Sequence, residues 1–400
     1  VPDVRDHLAA LGGGALGLDL ERRLGEFGEL CELLGRAIVA EPPAALKEGG
    51  LFADGYSSTI DELRRAATDG KQWVADLQAR EQVRTGISSL KIKYNAVFGY
   101  FIEITNTHLE KAPPEYTRKQ TMSNAERFIT PELKEVENKI LGADERLRVL
   151  EYQEFLSLRE TVLEHLTAIQ ETAGALAEID VLAAFAETAR LFGYCRPFLN
   201  ETRNLIIKNG RHPVLDQNIG EEKFVPNDAD LNAETNRFML ITGPNMAGKS
   251  TYIRQVALIA LMAQIGSFVP AESAEIGLVD RIFTRVGASD DIAKGQSTFM
   301  VEMTETALIA NHATEQSLVI LDEIGRGTAT YDGLSIAWAT LEHLHEANRC
   351  RALFATHYHE MTALAGKLTG VENATVTVKE WEGEVIFLHE VREGAADRRY

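Results

Sequence analysis

Eight consecutive residues, Gly243-Pro244-Asn245-Met246-Ala247-Gly248-Lys249-Ser250, fit the pattern G-x-x-x-x-G-K-[ST]. The chemistry this spacing allows is the holding of a polyphosphate. Backbone N–H groups of a Gly-rich turn, followed by a helix N-terminus, form a nest for anionic oxygens. Lys249 can reach the outer phosphates, and the hydroxyl of Ser250 can ligate Mg²⁺. The flanks agree with this reading: 237–242 (RFMLIT) predicts a buried strand and 251–265 a helix, with Thr251 at its start. A second run, Ser317-Leu318-Val319-Ile320-Leu321-Asp322-Glu323, is an apolar strand ending in two carboxylates. In a parallel sheet such a strand delivers its acids to the edge where ligands bind. Asp322 would then hold the metal ion, and Glu323 would orient or deprotonate an attacking water. A strand ending in acids can also be a solvated terminus; downstream of a phosphate loop the catalytic reading is the stronger one.

Two weaker signals accompany these. Ser297 precedes a helical stretch, 300–311, and a Ser at a helix N-terminus can serve as an N-cap or bind a phosphate. His357 follows the apolar strand 352–355 and can sense a γ-phosphate or be a loop histidine without a role.

These groups need a frame. From about residue 200, short apolar strands alternate with helices and Gly-rich turns, an α/β nucleotide-binding pattern. Residues 1–85 read as helices punctuated by Gly12-Gly13-Gly14, Glu41-Pro42-Pro43 and Gly49-Gly50. Residues 88–130 change character: 90–94 alternates, 100–104 is aromatic and β-branched, and Asn95 to Gly99 lies between, which predicts a β-hairpin. Residues 131–192 return to helical spacing through Leu147, Leu150, Leu158, Val162, Leu166 and Ile169, as one long helix or two. A small β-module carried on helical arms follows.

Composition bounds the function. The 400 residues carry a formal charge of -19, which by itself opposes phosphate-backbone binding. A local patch can face the other way. Between Thr85 and Thr130, six basic residues (Lys91, Lys93, Lys111, Arg118, Lys119, Arg127) stand against four acidic ones. Three scattered cysteines make neither a disulfide framework nor a zinc site, which favours a reducing compartment. The longest apolar run, 256–263, is too short to span a bilayer, and a cytoplasmic location is expected.

The sequence 322–333, Asp-Glu-Ile-Gly-Arg-Gly-Thr-Ala-Thr-Tyr-Asp-Gly, resembles the fingerprint of the MutS family of DNA mismatch-repair ATPases. So do 242–251, 280–287 (DRIFTRVG), 297–306 (STFMVEMTET) and 210–214 (GRHPV). In the first half, 95–100 and 124–133 are similar to that family's core and clamp. The resemblance implies an ABC-type P-loop ATPase domain over 201–400. It also implies a helical core or lever over 1–85, a β-rich DNA clamp over 86–135 and a returning helical arm over 136–200. It implies ATP and Mg²⁺ as cofactors, a homodimer in which Ser297 reaches the partner subunit's ATP, and His357 as a switch residue. Phe224 and His389 would flank the adenine, and the loop from Gly325 to Asp332 would face the other subunit. Arg118, Lys119, Asn124 and Arg127 become candidates for contacts to the backbone of double-stranded DNA, positioning it without reading its sequence. A downstream partner of the MutL type and a bacterial, nucleoid-associated setting follow from the same likeness.

There are departures. Ala247 stands where most members have Gly. The mismatch-reading and connector domains and the C-terminal helices have no counterpart, so a piece of a longer protein is expected. Phe27-Gly28-Glu29, Phe101-Ile102-Glu103 and Phe185-Ala186-Glu187 match the family's Phe-x-Glu wedge only by chance of spacing, in the wrong context. Other readings are a relative acting on recombination junctions, or a DNA-binding fragment without ATPase activity. A transporter-type ATP-binding subunit would have no use for arms carrying a β-tip.

Overall fold

The computed structural model describes residues 1–95, 97–218, 224–286, 298–381 and 384–395. It divides into two compact units, Val1–Ala177 and Glu178–Tyr400. Among the described residues no helix is long and apolar enough to cross a membrane.

The first unit opens with three short helices, α1 (Pro2–Leu11), α2 (Gly14–Arg23) and α3 (Gly28–Ala37). Its main elements are two long helices, α4 (Ser58–Thr85) and α5 (Pro131–Glu164), packed along each other. α4 buries Ile60, Ala67, Val74, Leu77 and Glu81, a stripe of near-heptad spacing. Gly70 lets α5 approach closely, because a side chain there would run into Ile140. α4 stops at Gly86, whose φ of 66° is left-handed; α5 starts with the Thr130 hydroxyl accepting from Leu133 N–H at 3.2 Å and Pro131 in its first turn. The helical region 131–192 is two helices, since α6 (Leu166–Phe192) begins after a break at His165.

Between α4 and α5 lies a four-stranded antiparallel sheet of order β1 (Lys91–Asn95), β2 (Gly99–Thr105), β4 (Ala125–Ile129), β3 (Thr117–Thr121). The hairpin read from the sequence is β1–β2, and two further strands extend it. One sheet face buries Ile102, Ile104 and Phe128 against Val74, Leu77, Leu133 and Ile140.

Polar contacts fasten the sheet to both helices. Gln78 of α4 accepts from Ile92 N–H at 2.7 Å, and buried Glu137 of α5 accepts from Tyr100 N–H at 2.7 Å. Buried Glu81 accepts from the Tyr116 hydroxyl at 2.6 Å and from Arg84, which also reaches Glu115. Burial pushes the Glu81 carboxyl up, but the bonds from Arg84 and Tyr116 outweigh it and the net shift is downward. A depressed carboxyl pKa stabilises the fold fully above its unfolded value of 4.5 and loses that contribution as pH falls through the folded value. Glu81→Gln is therefore expected to lower stability at pH 7 and to flatten the acid limb of a stability–pH curve for this unit. An acid limb as steep as in the parent chain would remove Glu81 from that role.

The second unit is built on a six-stranded sheet of order β10 (Ile282–Arg285), β11 (Leu318–Asp322), β12 (Arg351–Ala355), β8 (Phe238–Thr242), β13 (Val371–Trp381), β14 (Glu384–Glu393). The pairs from β10 to β13 are parallel and β14 is antiparallel. β8, β11 and β12 are buried at every residue, as strands covered on both faces must be. Met239 and Ile241 face helix α8 (Lys249–Gln264); Phe238 and Leu240 face the side carrying Ile309 of α9 (Thr298–His312) and Leu341 of α10 (Thr330–His343). A second sheet, β5 (Phe198–Asn200), β9 (Ser273–Gly277), β6 (Leu205–Gly210), β7 (Asn227–Leu231), supplies Ile207, Leu231 and Ile276 to the α8 side. A four-residue helix, α7 (Leu215–Asn218), follows β6. Because β8, β11 and β12 run parallel, their C-terminal ends meet at one sheet edge, and the chemistry-bearing residues follow those ends.

Candidate functional site

The loop from β8 to α8 takes its shape from three residues with left-handed φ: Gly243 (138°), Met246 (65°) and Gly248 (110°). An added Cβ would also crowd Val376 of β13 at Gly243 and the His389 ring at Gly248, each at 3.3 Å. Ala247 is not among the residues with positive φ and is fully buried, so its methyl group is accommodated without backbone strain. Lys249 is 5% exposed and its Nζ curls over the loop, donating to Gly243 O at 2.7 Å and Pro244 O at 3.0 Å. Burial lowers its pKa, against the pull of Glu323 and Asp322.

Those two carboxylates lie beside it. Asp322, at the end of β11, is 6% exposed. Burial raises its pKa, and the adjacent Ser250 hydroxyl works the other way. Arg254 Nη2 stands 3.8 Å from Oδ2, while Oδ1 is buried without a hydrogen-bond partner. Glu323 sits at φ 53°, an unusual conformation for a residue with a Cβ. Its N–H donates to Ala355 O at 2.9 Å, and its carboxylate meets Arg326 Nη1 at 2.5 Å. His357 follows β12, exposed, with its ring 4.1 Å from that of Tyr358. Desolvation lowers its pKa while the charge of Glu323 opposes the shift. The structure thus brings Gly243 to Thr251, Asp322, Glu323 and His357 to one edge.

Phe224 and His389 lie together as well. With Met246, Gly248, Thr251 and Tyr252 they line a cavity of about 230 Å³. His389 has φ 55°, and its Nδ1–H donates to Ala247 O at 2.9 Å. Asn227 pins this part of β14, its amide donating to His389 O at 2.9 Å and its oxygen accepting from Val391 N–H at 2.7 Å. Sequence reasoning missed Asn227, and an isolated Asn carries no signal. It also missed Arg254, whose position one helical turn after Ser250 was legible. Ser297 lies outside the described residues.

After Glu323 the chain folds tightly on itself. A Cβ on Gly325 would run into Gly333, and one on Gly333 would run into the Gly325 carbonyl and the Tyr358 hydroxyl. This contact accounts for two of the glycines in 322–333.

In the first unit the four candidate DNA contacts divide. Arg118 is 60% exposed and pairs with Glu126 at 2.6 Å. Lys119 donates to Phe98 O at 2.8 Å, and Asn124 is exposed in the β3–β4 turn. Arg127 differs: its side chain is 18% exposed, its guanidinium lies 4.2 Å from the centre of the Phe101 ring, and it donates to Gln120 at 2.8 Å. Arg127 is committed within the sheet, to the Phe101 ring and to Glu103, whose Oε2 lies 3.5 Å from its Nε, which charge counting could not reveal.

Residues 239–400 match the family model described as MutS domain V, and residues 55–146 the one described as MutS family domain IV. Over 383 residues the chain is 57% identical to the DNA mismatch repair protein MutS of Symbiobacterium thermophilum. This chain belongs to the MutS family. That alignment covers 96% of the chain and 44% of the relative. The MutS protein of Cereibacter sphaeroides is 59% identical over 93% of the chain and 43% of its own length. That of Caldanaerobacter subterraneus is 52% identical over the whole chain and 46% of its own length. The chain therefore spans less than half of each of these MutS relatives. The sheet edge with the β8–α8 loop, Asp322, Glu323 and His357 lies in the domain V match, and the four-stranded sheet lies in the domain IV match.

Proposed function

We propose that this chain is the clamp-bearing and ATP-hydrolysing part of a DNA mismatch-repair protein, with an ABC-type P-loop ATPase that works as a homodimer on duplex DNA. One observation carries the reading: Asp322 is buried beside Ser250 on the side of the sheet where the β8–α8 loop opens. Phosphates in that nest would take its N–H groups and the Lys249 ammonium, which lies against the loop carbonyls of Gly243 and Pro244. The unpartnered, buried Oδ1 of Asp322 fits a hydrated cation shared with the Ser250 hydroxyl. Mg²⁺ bound there would neutralise charge on the β- and γ-phosphates.

Glu323 then orients a water for in-line attack on the γ-phosphorus and takes its proton, while the bond to the β-phosphate oxygen breaks and ADP leaves. His357, beside Glu323, senses the γ-phosphate. Phe224 and His389 hold the adenine across their shared cavity, and Ser297 of one subunit completes the site of the other. Arg118, Lys119 and Asn124 offer contacts to the DNA backbone, with Arg127 supporting the strand that carries them. Mismatch recognition, handover to a MutL-type partner and a cytoplasmic setting belong to the longer protein.

A composite site makes hydrolysis bimolecular in chains. The ATPase rate per chain is expected to rise with protein concentration and then level off. A rate per chain independent of concentration would contradict the composite site, and no hydrolysis at any concentration would favour the DNA-binding reading of this piece.

A further inference from the structure

The residue two positions after Glu323 is held from both sides. Gly325 N–H donates to Oε1 of Glu302, a carboxylate on α9 that is only 3% exposed. Gly325 C=O accepts from the Tyr358 hydroxyl at 2.9 Å. Glu302 is not a solvated surface acid, because Arg285, itself 5% exposed, lies 3.8 Å from its other oxygen. Phe299 of α9 lies over Gly327, where an added Cβ would meet it at 3.3 Å. Tyr358 in turn touches the His357 ring.

We propose that Glu302 and Tyr358 are positioning residues that latch the Gly325 peptide and so fix Glu323 for catalysis. This rests on the hydrolytic reading of the site. A left-handed conformation at Glu323 is strained for a residue with a Cβ and persists only where its surroundings hold it. The chain leaving Glu323 passes through Ile324, fully buried, to the latched peptide, so its course is fixed within two residues. Charged acceptors make the stronger hydrogen bonds, and Glu302 supplies one in a buried place. The latch also gives α9 a direct hold on the hydrolytic carboxylate. Ser297 precedes α9, so engagement of that helix by the other subunit's nucleotide would be passed to Glu323 through Glu302. On the other side, movement of His357 would be passed through Tyr358.

The test compares the parent chain with Glu302→Ala, Glu302→Gln and Tyr358→Phe. It uses three readouts: binding of a fluorescent ATP analogue with Mg²⁺, kcat and KM at concentrations where the rate per chain has levelled off, and amide hydrogen exchange of peptides spanning 324–333. Nucleotide binding within about twofold of the parent is expected throughout. For E302A and Y358F, kcat should fall about tenfold or more at near-constant KM, and exchange across 324–333 should speed up. E302Q keeps an oxygen acceptor for the Gly325 N–H and is expected to recover part of both. If parent and variants bind nucleotide alike and E302A and Y358F leave kcat and exchange unchanged, the latch is wrong while the site stands. If kcat and KM move together and E302Q rescues nothing, the residues are structural only. If the parent binds no nucleotide, or binds it and never hydrolyses it, the hydrolytic reading fails and the latch goes with it.

Discussion

Lys249→Ala is expected to reduce ATP turnover by at least about 10²-fold, the cost of removing one preorganised donor from a charge-developing site. The expectation is larger than for a surface lysine because Lys249 is 5% exposed and its ammonium lies among loop carbonyls with two carboxylates nearby. Lys249 Nζ donates to the Gly243 and Pro244 carbonyls. When phosphate oxygens arrive, the ammonium can exchange carbonyl partners for anionic ones, a gain in charge-assisted bonding. Alanine removes that exchange, and nucleotide affinity should fall along with turnover. The fold should be little changed, since the loop's shape depends on Gly243, Met246 and Gly248. Steady-state phosphate release and a nucleotide titration on the same samples check both parts. Turnover equal to the parent's would remove the phosphate role from the β8–α8 loop.

Glu323→Gln should separate binding from chemistry. The amide keeps the size of the carboxylate and can still meet Arg326, so nucleotide affinity should stay within a few-fold of the parent's. It cannot accept a proton from the attacking water, and loss of a general base costs about 10²- to 10⁴-fold. The expected outcome is a chain that binds ATP with Mg²⁺ and retains it unhydrolysed, read as intact ATP recovered after isolation of the complex. Equal hydrolysis by E323Q would leave Glu323 an acceptor for Arg326 and nothing more. The two variants differ in kind: K249A should lose affinity and turnover together, E323Q turnover alone.

Part of this site was legible in the sequence because local rules govern it. The β8–α8 loop shows a buried strand, glycines where φ must be positive, and a helix with Lys and Ser at its start, all within a few residues. Asp322 and Glu323 end a strand that is apolar throughout. What escaped reading is non-local or depends on a single conformation. Nothing in the residue types around Glu323 announces φ 53°, and the Gly325–Gly333 contact makes sense only when the loop is seen closed on itself. Phe224 and His389 come from opposite sides of the loop in sequence, and only family likeness paired them. In the first unit, β1 announces itself by alternation and β2 by its aromatic and β-branched residues. β3 and β4 are charged, with Arg118, Lys119, Glu126 and Arg127 on them, and read as surface rather than strand. Arg127 shows the limit of charge counting most plainly, since it is spent inside the sheet on the Phe101 ring, Gln120 and Glu103. The break at His165 has no glycine or proline to mark it, so one helix and two looked alike. At Ala247, where family likeness led to the expectation of glycine, the backbone does not require one.

The most direct test is a structure of the Glu323→Gln chain crystallised with ATP and Mg²⁺. Triphosphate density within the Gly243–Thr251 loop, a metal between Ser250 and Asp322, and the base between Phe224 and His389 are the expected result. A nucleotide found elsewhere, or phosphates in the loop with the metal remote from Asp322, would contradict the account.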